Sequence, residues 1–276
     1  MNLNNIREGE LKEAFDALEE AFAATSTDYY IIGALARDVW YSRGSKTFRQ
    51  TKDVDFAVMV GSNDDYNAIK QYLKANKNFV DSKGNAFVMH TASGVQVDIL
   101  PFGEIEIDDA VNFAGAGLTS IKVNGFREVY DSGTAKVKLE TGHHFKIATL
   151  PSIVLLKMVS YDDSPEQRSK DPRDIANITA HFFDLQADFI YSEHADLFTE
   201  IDNEQTLEEI SAIVIGREIR KICAANEILL GRLKQILQSH IGKNDESLFI
   251  RNMVAETGWT VEKSRQILQN MLLAFH

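Results

Sequence analysis

The sequence predicts an α+β fold in which a small mixed β-sheet with flanking helices is followed by a C-terminal helical bundle. Two observations carry this prediction. Short β-branched and aromatic runs alternate with amphipathic segments through the first half, and helical periodicity takes over after about residue 149. A chain of 276 residues is also long enough to hold two cores. We therefore expect one domain over residues 1–149 and a helical domain over residues 150–276.

The first half opens with a helix, a strand and a second helix. Apolar residues recur every three or four positions from Glu8 to about Ala24, which predicts an amphipathic helix. The run from Tyr29 to Ile32 is typical of a buried strand and ends at Gly33. A helix is expected from Ala34 to about Tyr41, and the polar, basic segment from Ser42 to Lys52 is expected to be an exposed loop.

The clearest strand in the sequence covers Asp53 to Val60, where every second residue is valine or phenylalanine. Ser62 or Asn63 is expected to cap a helix that runs to about Lys74. The other predicted strands cover Phe87–His90, Val95–Leu100, Ile121–Val123, Glu128–Tyr130 and Phe145–Ile147, and a turn joins the first two of them.

From Leu150 onward the pattern is helical throughout. Pro151 suits the first turn of a helix, because its missing N–H would have no partner there. Asp171 as an N-cap, followed by Pro172 and by Asp174 at the third helical position, predicts another helix start. Two C-terminal helices are expected around Leu248–Glu256 and Val261–Leu272.

Composition and charge restrict the classes of protein to consider. No apolar stretch reaches the roughly 18 residues that span a bilayer, and the N-terminus lacks the residue order of a signal peptide. We therefore expect a cytoplasmic protein with no membrane partner. The single cysteine, Cys223, has apolar neighbours and is expected to be buried rather than nucleophilic. The formal net charge of −12 argues against broad, charge-driven binding to nucleic acid but leaves a local basic cleft open.

Three carboxylates are the chemically informative part of the sequence. Asp53 and Asp55 are two residues apart on one strand, so they point to the same face, about 6.5–7 Å apart. A solvated strand face explains a bare Asp-x-Asp equally well. Asp98 changes the balance, because it too lies opposite an apolar set on its strand. If the two strands are neighbours, three hard oxygen donors share a patch, which favours Mg²⁺ or Mn²⁺ over zinc.

A glycine lies just upstream, where a strand ends and a helix begins. Gly33 and Ala34 at that step would let a phosphate approach the N–H groups of a helix N-terminus. Glycine after a strand is usually only a turn, so this signal gains its meaning from the carboxylates that follow.

These residues resemble the signature of the DNA-polymerase-β-like nucleotidyltransferase superfamily. That signature is an apolar-Gly-small step, an Asp-x-Asp on a strand and a third carboxylate on a later strand. The stretch from Gly33 to Asp38 is also similar to the Gly-Gly-x-x-Arg-Asp of the tRNA CCA-adding branch, which makes Arg37 a nucleotide-binding candidate. The matching residues are Gly33-Ala34, Asp53-Val54-Asp55 and Asp98.

A closer resemblance, covering about residues 29–180, is to the AbiEii-type toxin nucleotidyltransferases. It lies on the run from Arg49 to Phe56 and on a second region with a strand, a helix that carries Lys157, and an Asp-x-x-Asp element ending at Asp174. The resemblance implies that Lys157 is a cation for the triphosphate and that Asp174 contacts the nucleotide. From the residues alone, Lys157 can also be a snorkelling lysine, and Asp174 can also cap the helix or orient Lys157.

The sequence departs from the superfamily pattern in two places. Ala34 stands where glycine or serine is usual, which loses a hydroxyl contact to phosphate. The gap between Ala34 and Asp53 is also longer than usual, and the extra length falls in the basic loop around Lys46 and Arg49.

The resemblance implies a metal-dependent nucleotidyltransferase that moves a nucleoside monophosphate from an NTP to a hydroxyl acceptor. Two Mg²⁺ or Mn²⁺ ions would be held by Asp53, Asp55 and Asp98. The acceptor is a tRNA, a protein or a small molecule, and the similarity to toxins would add a cognate antitoxin as a partner. The main alternative is a catalytically silent nucleotide-binding sensor or interaction module on the same fold.

Overall fold

The computed structural model describes residues 8–44, 53–113, 117–139, 141–198 and 205–275. The chain divides into two compact units, one formed by Met1–Tyr130 with Thr134–Thr149 and the other by Asp131–Gly133 with Leu150–His276. In the basic loop predicted between Ser42 and Lys52, residues 42 and 43 are helical. Lys46 and Arg49 lie outside the described residues.

A mixed β-sheet with flanking helices forms the first unit. Within the described residues, seven strands make up this sheet in the order β3-β4-β5-β2-β1-β9-β8, and β6 pairs separately with β7. The strands are β1 (Asp28–Ile31), β2 (Asp53–Met59), β3 (Val80–Asp81), β4 (Val88–His90), β5 (Gln96–Phe102), β6 (Ala110–Asn112), β7 (Ser120–Lys122), β8 (Thr134–Lys138) and β9 (His144–Ala148). The helices are α1 (Glu8–Ala24), α2 (Gly33–Arg43), α3 (Asn63–Lys77) and α4 (Phe126–Ser132).

One face of the sheet packs on α1. Phe56 of β2 and Phe145 of β9 lie 5.7 Å apart between ring centroids, and Phe15 of α1 makes edge-to-face contacts with both, at 6.3 and 5.1 Å. Aromatic rings at such distances add dispersion and quadrupole attraction to the burial of apolar surface. The core therefore lies on the side of β2 to which Val54, Phe56 and Val58 point, and the aspartates of β2 take the opposite side.

The opposite face is covered in part by α4. The Tyr30 hydroxyl donates a buried hydrogen bond to the Phe126 carbonyl, and the Tyr130 ring packs against Tyr30. Our prediction of a strand at Glu128–Tyr130 is therefore wrong. A turn at Gly125, which has φ of +94°, reverses the chain so that Phe126 and Val129 bury one side of a helical turn.

The predicted α+β class is confirmed, and most elements were correctly placed. The helix from Glu8 to Ala24 has the expected bounds, and Ser62 caps α3 by accepting the backbone N–H of Asp65. The strands near Phe87 and Val95 form the expected antiparallel pair. Strands β3, β6 and β8 were not predicted, because each is short or polar.

The second unit is helical. Thr206 and Glu209 form a capping box at the start of α7, and Cys223 is buried as predicted. None of the described helices is both long and apolar enough to cross a membrane. The helices are α5 (Leu150–Asp163), α6 (Asp171–Glu193), α7 (Leu207–Ile222), α8 (Glu227–Gly242), α9 (Leu248–Thr257) and α10 (Val261–Leu273), with short 3₁₀ turns at Ala195–Phe198 and Asn244–Glu246.

Close approach of α7 to the end of α10 depends on a glycine, and Gly216→Ala is expected to destabilise the protein. A methyl group at Gly216 would lie 2.5 Å from the Met271 carbonyl oxygen and 2.7 Å from the Ala274 β-carbon. Because the backbone cannot rotate away as a side chain can, the helices must separate. We expect the free energy of unfolding to fall by about 1–3 kcal/mol, which urea unfolding would measure.

The matched control for this substitution is Gly231→Ala on α8, where an added methyl group meets nothing within 4 Å. Alanine is the better helix former by about 1 kcal/mol, so the control should be neutral or stabilising. Equal effects of the two substitutions would contradict the packing argument.

Candidate active site

The parallel pairing of β2 with β5 brings the three predicted carboxylates together on one sheet face. Asp98 is the register partner of Asp55, and Gln96 is the partner of Asp53. Residues that face each other across neighbouring strands share a side of the sheet, about 4.8 Å apart in backbone position. All three aspartates are half-buried, while Val54 and Val97 beside them point into the core.

Gly33 is packed directly against the Asp55 side chain. A β-carbon at Gly33 would lie 2.3 Å from Asp55 Oδ2 and 2.9 Å from its Cγ, so any other residue would force this carboxylate to move. Gly33 also has φ of +67°, a conformation that residues with side chains rarely adopt. The Ile32 N–H donates to the Asp55 carbonyl at 3.0 Å, which ties the end of β1 to β2. The α2 N-terminus therefore begins in contact with the Asp55 carboxylate.

Gln96 is a site residue that the sequence analysis missed. Its Nε2 donates to Asp98 Oδ1 at 2.8 Å, so it fixes one oxygen of the third carboxylate. The signal was available, because Gln96 and Asp98 are two residues apart on one strand and must share a face.

The donor set suits a hard divalent cation, because it consists of carboxylate oxygens without histidine or cysteine. As placed, no group of three or more histidine, cysteine, aspartate or glutamate side chains among the described residues is arranged to hold a metal ion. Each of the three aspartates instead interacts with other groups of the chain. The backbone places the three carboxylates near one another, and a bound ion would have to draw their side chains closer still.

A buried tyrosine lies near the site without joining its chemistry. The Tyr66 hydroxyl donates to the Ile99 carbonyl at 2.9 Å. Burial, with smaller contributions from the Asp81 and Asp98 carboxylates, raises the pKa of Tyr66 well above its ordinary value. The phenol is therefore neutral at physiological pH and serves the packing of α3.

Arg37, predicted to contact the nucleotide, lies on α2 with its side chain buried. Its Nε and an Nη both approach Asp38 Oδ1, at 2.9 and 2.7 Å. This pairing compensates the cost of burying the guanidinium group and holds it against the helix.

Lys157 and Asp174 belong to the second unit, where they form a cluster with Asp171. The Lys157 ammonium lies 2.8 Å from an Asp171 oxygen and 2.7 Å from an Asp174 oxygen. Burial disfavours the charged ammonium, but the two carboxylates outweigh it and raise the pKa of Lys157 above its ordinary value. Asp171 is the first residue of α6 and Lys170 is the N-cap, so our assignment of Asp171 as the cap is wrong by one position.

Comparisons with known proteins give likeness at the level of solved structures. Neither a family model nor a curated protein sequence matches the chain. A solution structure of the antibiotic-resistance factor ANT(2'')-Ia is similar over 85% of this chain and all of that one, with 10% identity and a TM-score of 0.39. A crystal structure of ANT(2'')-Ia with adenylyl-2''-tobramycin matches 56% of this chain and 78% of that one, with 12% identity and a TM-score of 0.34.

An antigenic nucleotidyltransferase-like protein from Paracoccidioides brasiliensis is similar over 69% of this chain and 91% of that one. Its identity is 15% and its TM-score 0.39. Likeness at this level does not establish a shared activity. The function has to be inferred from the residues of the chain itself.

Proposed function

We propose that this protein is a metal-dependent nucleotidyltransferase that moves a nucleoside monophosphate from an NTP to a hydroxyl group. One observation carries the proposal: Asp55 and Asp98 face each other on paired strands, with Asp53 on the same sheet face and Gly33 at the start of α2 packed against Asp55. An ordinary solvated strand has no need of two directly opposed carboxylates, which repel each other in the absence of a cation.

In the proposed reaction, the acceptor oxygen attacks the α-phosphorus of the NTP while the bond to the bridging oxygen of the β-phosphate breaks. Asp53 and Asp55 would hold two Mg²⁺ or Mn²⁺ ions, and Asp98 would share one of them. Two such metal ions would activate the hydroxyl and neutralise charge on the departing pyrophosphate. Asp98 would take up the hydroxyl proton, and the hydrogen bond from Gln96 holds one oxygen of its carboxylate in place.

Gly33 and Ala34 would contact the triphosphate through the backbone. The N–H groups at the start of α2 have no earlier turn of helix to bond to, and the helix dipole favours a negative group there. The proposed contributions of Arg37, Lys157 and Asp174 to nucleotide binding rest on the family resemblance. Two of the three N–H donors of Lys157 point to Asp171 and Asp174, which leaves one for a contact to phosphate.

The acceptor class is left to experiment among tRNA, a protein hydroxyl and a small molecule. The similarity of the motifs to AbiEii-type toxins favours a macromolecule and a cognate antitoxin as a partner. A small-molecule acceptor has a parallel in ANT(2'')-Ia, whose crystal structure contains adenylyl-2''-tobramycin.

A catalytically silent nucleotide-binding protein is the second candidate, and one observation favours it. Among the described residues, the carboxylates are not arranged as a ready metal site. A protein that only senses a nucleotide would bind NTP in the presence of Mg²⁺ and form no product.

The deciding experiment incubates the protein with each of the four α-³²P-labelled NTPs, with Mg²⁺ or Mn²⁺, against total tRNA, lysate protein and an aminoglycoside. We expect one acceptor to become labelled from one preferred NTP, and EDTA to abolish the labelling because the carboxylates need the cation between them. The same reaction with γ-³²P-labelled NTP is the control, since pyrophosphate carries that label away. Nucleotide binding without any labelled product in all these reactions supports the silent protein instead.

A further inference from the structure

Three lysines and a histidine line one face of the hairpin formed by β8 and β9. Lys136 is the register partner of Lys146, and Lys138 is the partner of His144. Lys136, Lys138 and His144 are exposed and Lys146 is half-buried, so all four reach solvent. We call these four residues the basic strip.

The basic strip lies on the same face of the sheet as the proposed catalytic carboxylates. Ile31 of β1 pairs with Phe56 of β2 and with Ile147 of β9, so these three apolar residues share one face. Asp55 and Lys146 directly precede Phe56 and Ile147 and must therefore take the other face. Strands β9 and β8 are two and three positions from β2, or about 10 and 14 Å at the usual strand spacing. Tyr30 of β1 lies between them and is fully buried beneath Tyr130 of α4, so α4 separates the basic strip from the carboxylates.

The charge of the basic strip is not matched within the part of the chain that the structure describes. No ion pair there involves the four residues, although acidic residues outnumber basic ones by 41 to 29 in the sequence. The Lys146 ammonium lies over the Tyr130 ring instead, 4.1 Å from its centroid. Asp28 is on the same face, at the start of β1, and forms no described ion pair with the strip. Two lysines placed directly opposite each other destabilise a sheet through charge repulsion, so an external anion bound between them would reduce this destabilisation.

Protection of a sheet edge explains only half of the basic strip. Lysines on an edge strand prevent pairing with other chains, and β8 is such an edge. His144 and Lys146 are on β9, which lies between β1 and β8 and is therefore not an edge strand of the sheet. The side-by-side arrangement across two strands instead provides a row of donors for successive anionic groups.

We propose that the basic strip binds the phosphate backbone of an RNA whose reacting hydroxyl lies at the carboxylates. This inference rests on the proposed function, because it names the acceptor class for that reaction. An RNA whose terminus is held at the carboxylates continues as a chain of phosphates, which is long enough to pass α4 and reach the basic strip. A row of cations matches the successive charges of a nucleic-acid backbone more closely than the single anionic group of a small molecule.

The test measures binding of a fluorescein-labelled single-stranded RNA and of labelled tRNA by anisotropy, without NTP, between about 50 and 200 mM NaCl. The triple variant Lys136→Gln, Lys138→Gln, Lys146→Gln is expected to bind RNA on the order of tenfold more weakly than the wild type. Its plot of log affinity against log salt should be shallower by about 2, since each lost phosphate contact removes about 0.7. Its melting temperature should stay close to that of the wild type, because removal of the opposed lysines offsets the lost contact of Lys146 with the Tyr130 ring.

The matched control removes three exposed lysines outside the strip, Lys12→Gln, Lys74→Gln, Lys83→Gln, and should bind RNA within about twofold of the wild type. The inference is overturned by a wild type that does not bind RNA, by a triple variant that binds like the wild type, or by equal losses in both triple variants. Binding that is confined to vesicles containing phosphatidylserine also overturns it.

The two proposals fail in different ways. A wild type that binds RNA through the basic strip but transfers no label keeps the strip as an RNA-binding surface, and removes both the nucleotidyltransferase and the role of RNA as its acceptor. A wild type that labels a protein or an aminoglycoside and does not bind RNA removes only the strip.

Discussion

Asp98→Asn is expected to lower the rate of nucleotide transfer by about 10³-fold or more while leaving the fold intact. Asparagine can keep the hydrogen bond from Gln96, but it carries no charge for a cation and accepts no proton. Asp53→Asn is expected to have an effect of the same order, because Asp53 lies on the same face two residues before Asp55. The measurement is the initial rate with the NTP and acceptor identified by labelling.

Stability provides a second readout that separates a catalytic carboxylate from a structural one. In the absence of metal, Asp98→Asn removes one of two opposed negative charges, so its melting temperature should equal or exceed that of the wild type. Mg²⁺ should raise the melting temperature of the wild type more than that of the variant, since the variant lacks one ligand of a bound ion that stabilises the folded state.

The control for Asp98→Asn is Asp64→Asn, at an exposed carboxylate in the first turn of α3. It should keep the wild-type rate and the response to Mg²⁺. Full activity in both Asp53→Asn and Asp98→Asn is the result that would remove the proposed mechanism.

The face of each strand that carries a proposed catalytic aspartate could be predicted from the sequence, and the pairing of those strands could not. Alternation of apolar residues in Asp53–Val60 and Val95–Leu100 decides which side chains point away from the core. Whether β2 and β5 are neighbours depends on the path of the chain through α3, β3 and β4, which leads to a parallel pairing. Parallel neighbours joined by a long crossover have no local signature that sequence periodicity can detect.

The basic strip was out of reach for the same reason. Lys136 and Lys146 are ten positions apart, and only the hairpin register makes them partners. The segment Thr134–Lys138 alternates lysine with one valine and one alanine, too little apolar character to predict a strand. The sequence-level argument from a net charge of −12 is an average over the chain, and a local arrangement of opposite sign is compatible with it.

The importance of Gly33 illustrates a third limit. In the sequence, a glycine between a strand and a helix indicates a turn or a phosphate-binding step. The structure shows in addition that the side chain of Asp55 packs directly against this glycine. This contact joins residues 22 positions apart and depends on the antiparallel pairing of β1 with β2.

Gly33→Ala should therefore reduce the rate of nucleotide transfer by about 100-fold or more, although it replaces none of the three aspartates. The new methyl group would lie 2.3 Å from Asp55 Oδ2, and the side chain can avoid it only by rotating away from its position opposite Asp98. Displacement of a reacting group by about 1 Å is enough for a loss of this size. The positive φ adds strain of about 1 kcal/mol that urea unfolding should detect.

Strain and displacement are separated by Gly142→Ala, since Gly142 has φ of +91° and an added methyl group there meets nothing within 4 Å. That control should lose stability to a similar degree and keep its transfer rate. If Gly33→Ala and Gly142→Ala lose equal activity, the effect of Gly33 comes from backbone strain. If only Gly33→Ala loses activity, and its melting temperature also responds less to Mg²⁺, the loss comes from displacement of Asp55. The absence of a side chain at Gly33 is then what allows Asp55 to lie opposite Asp98.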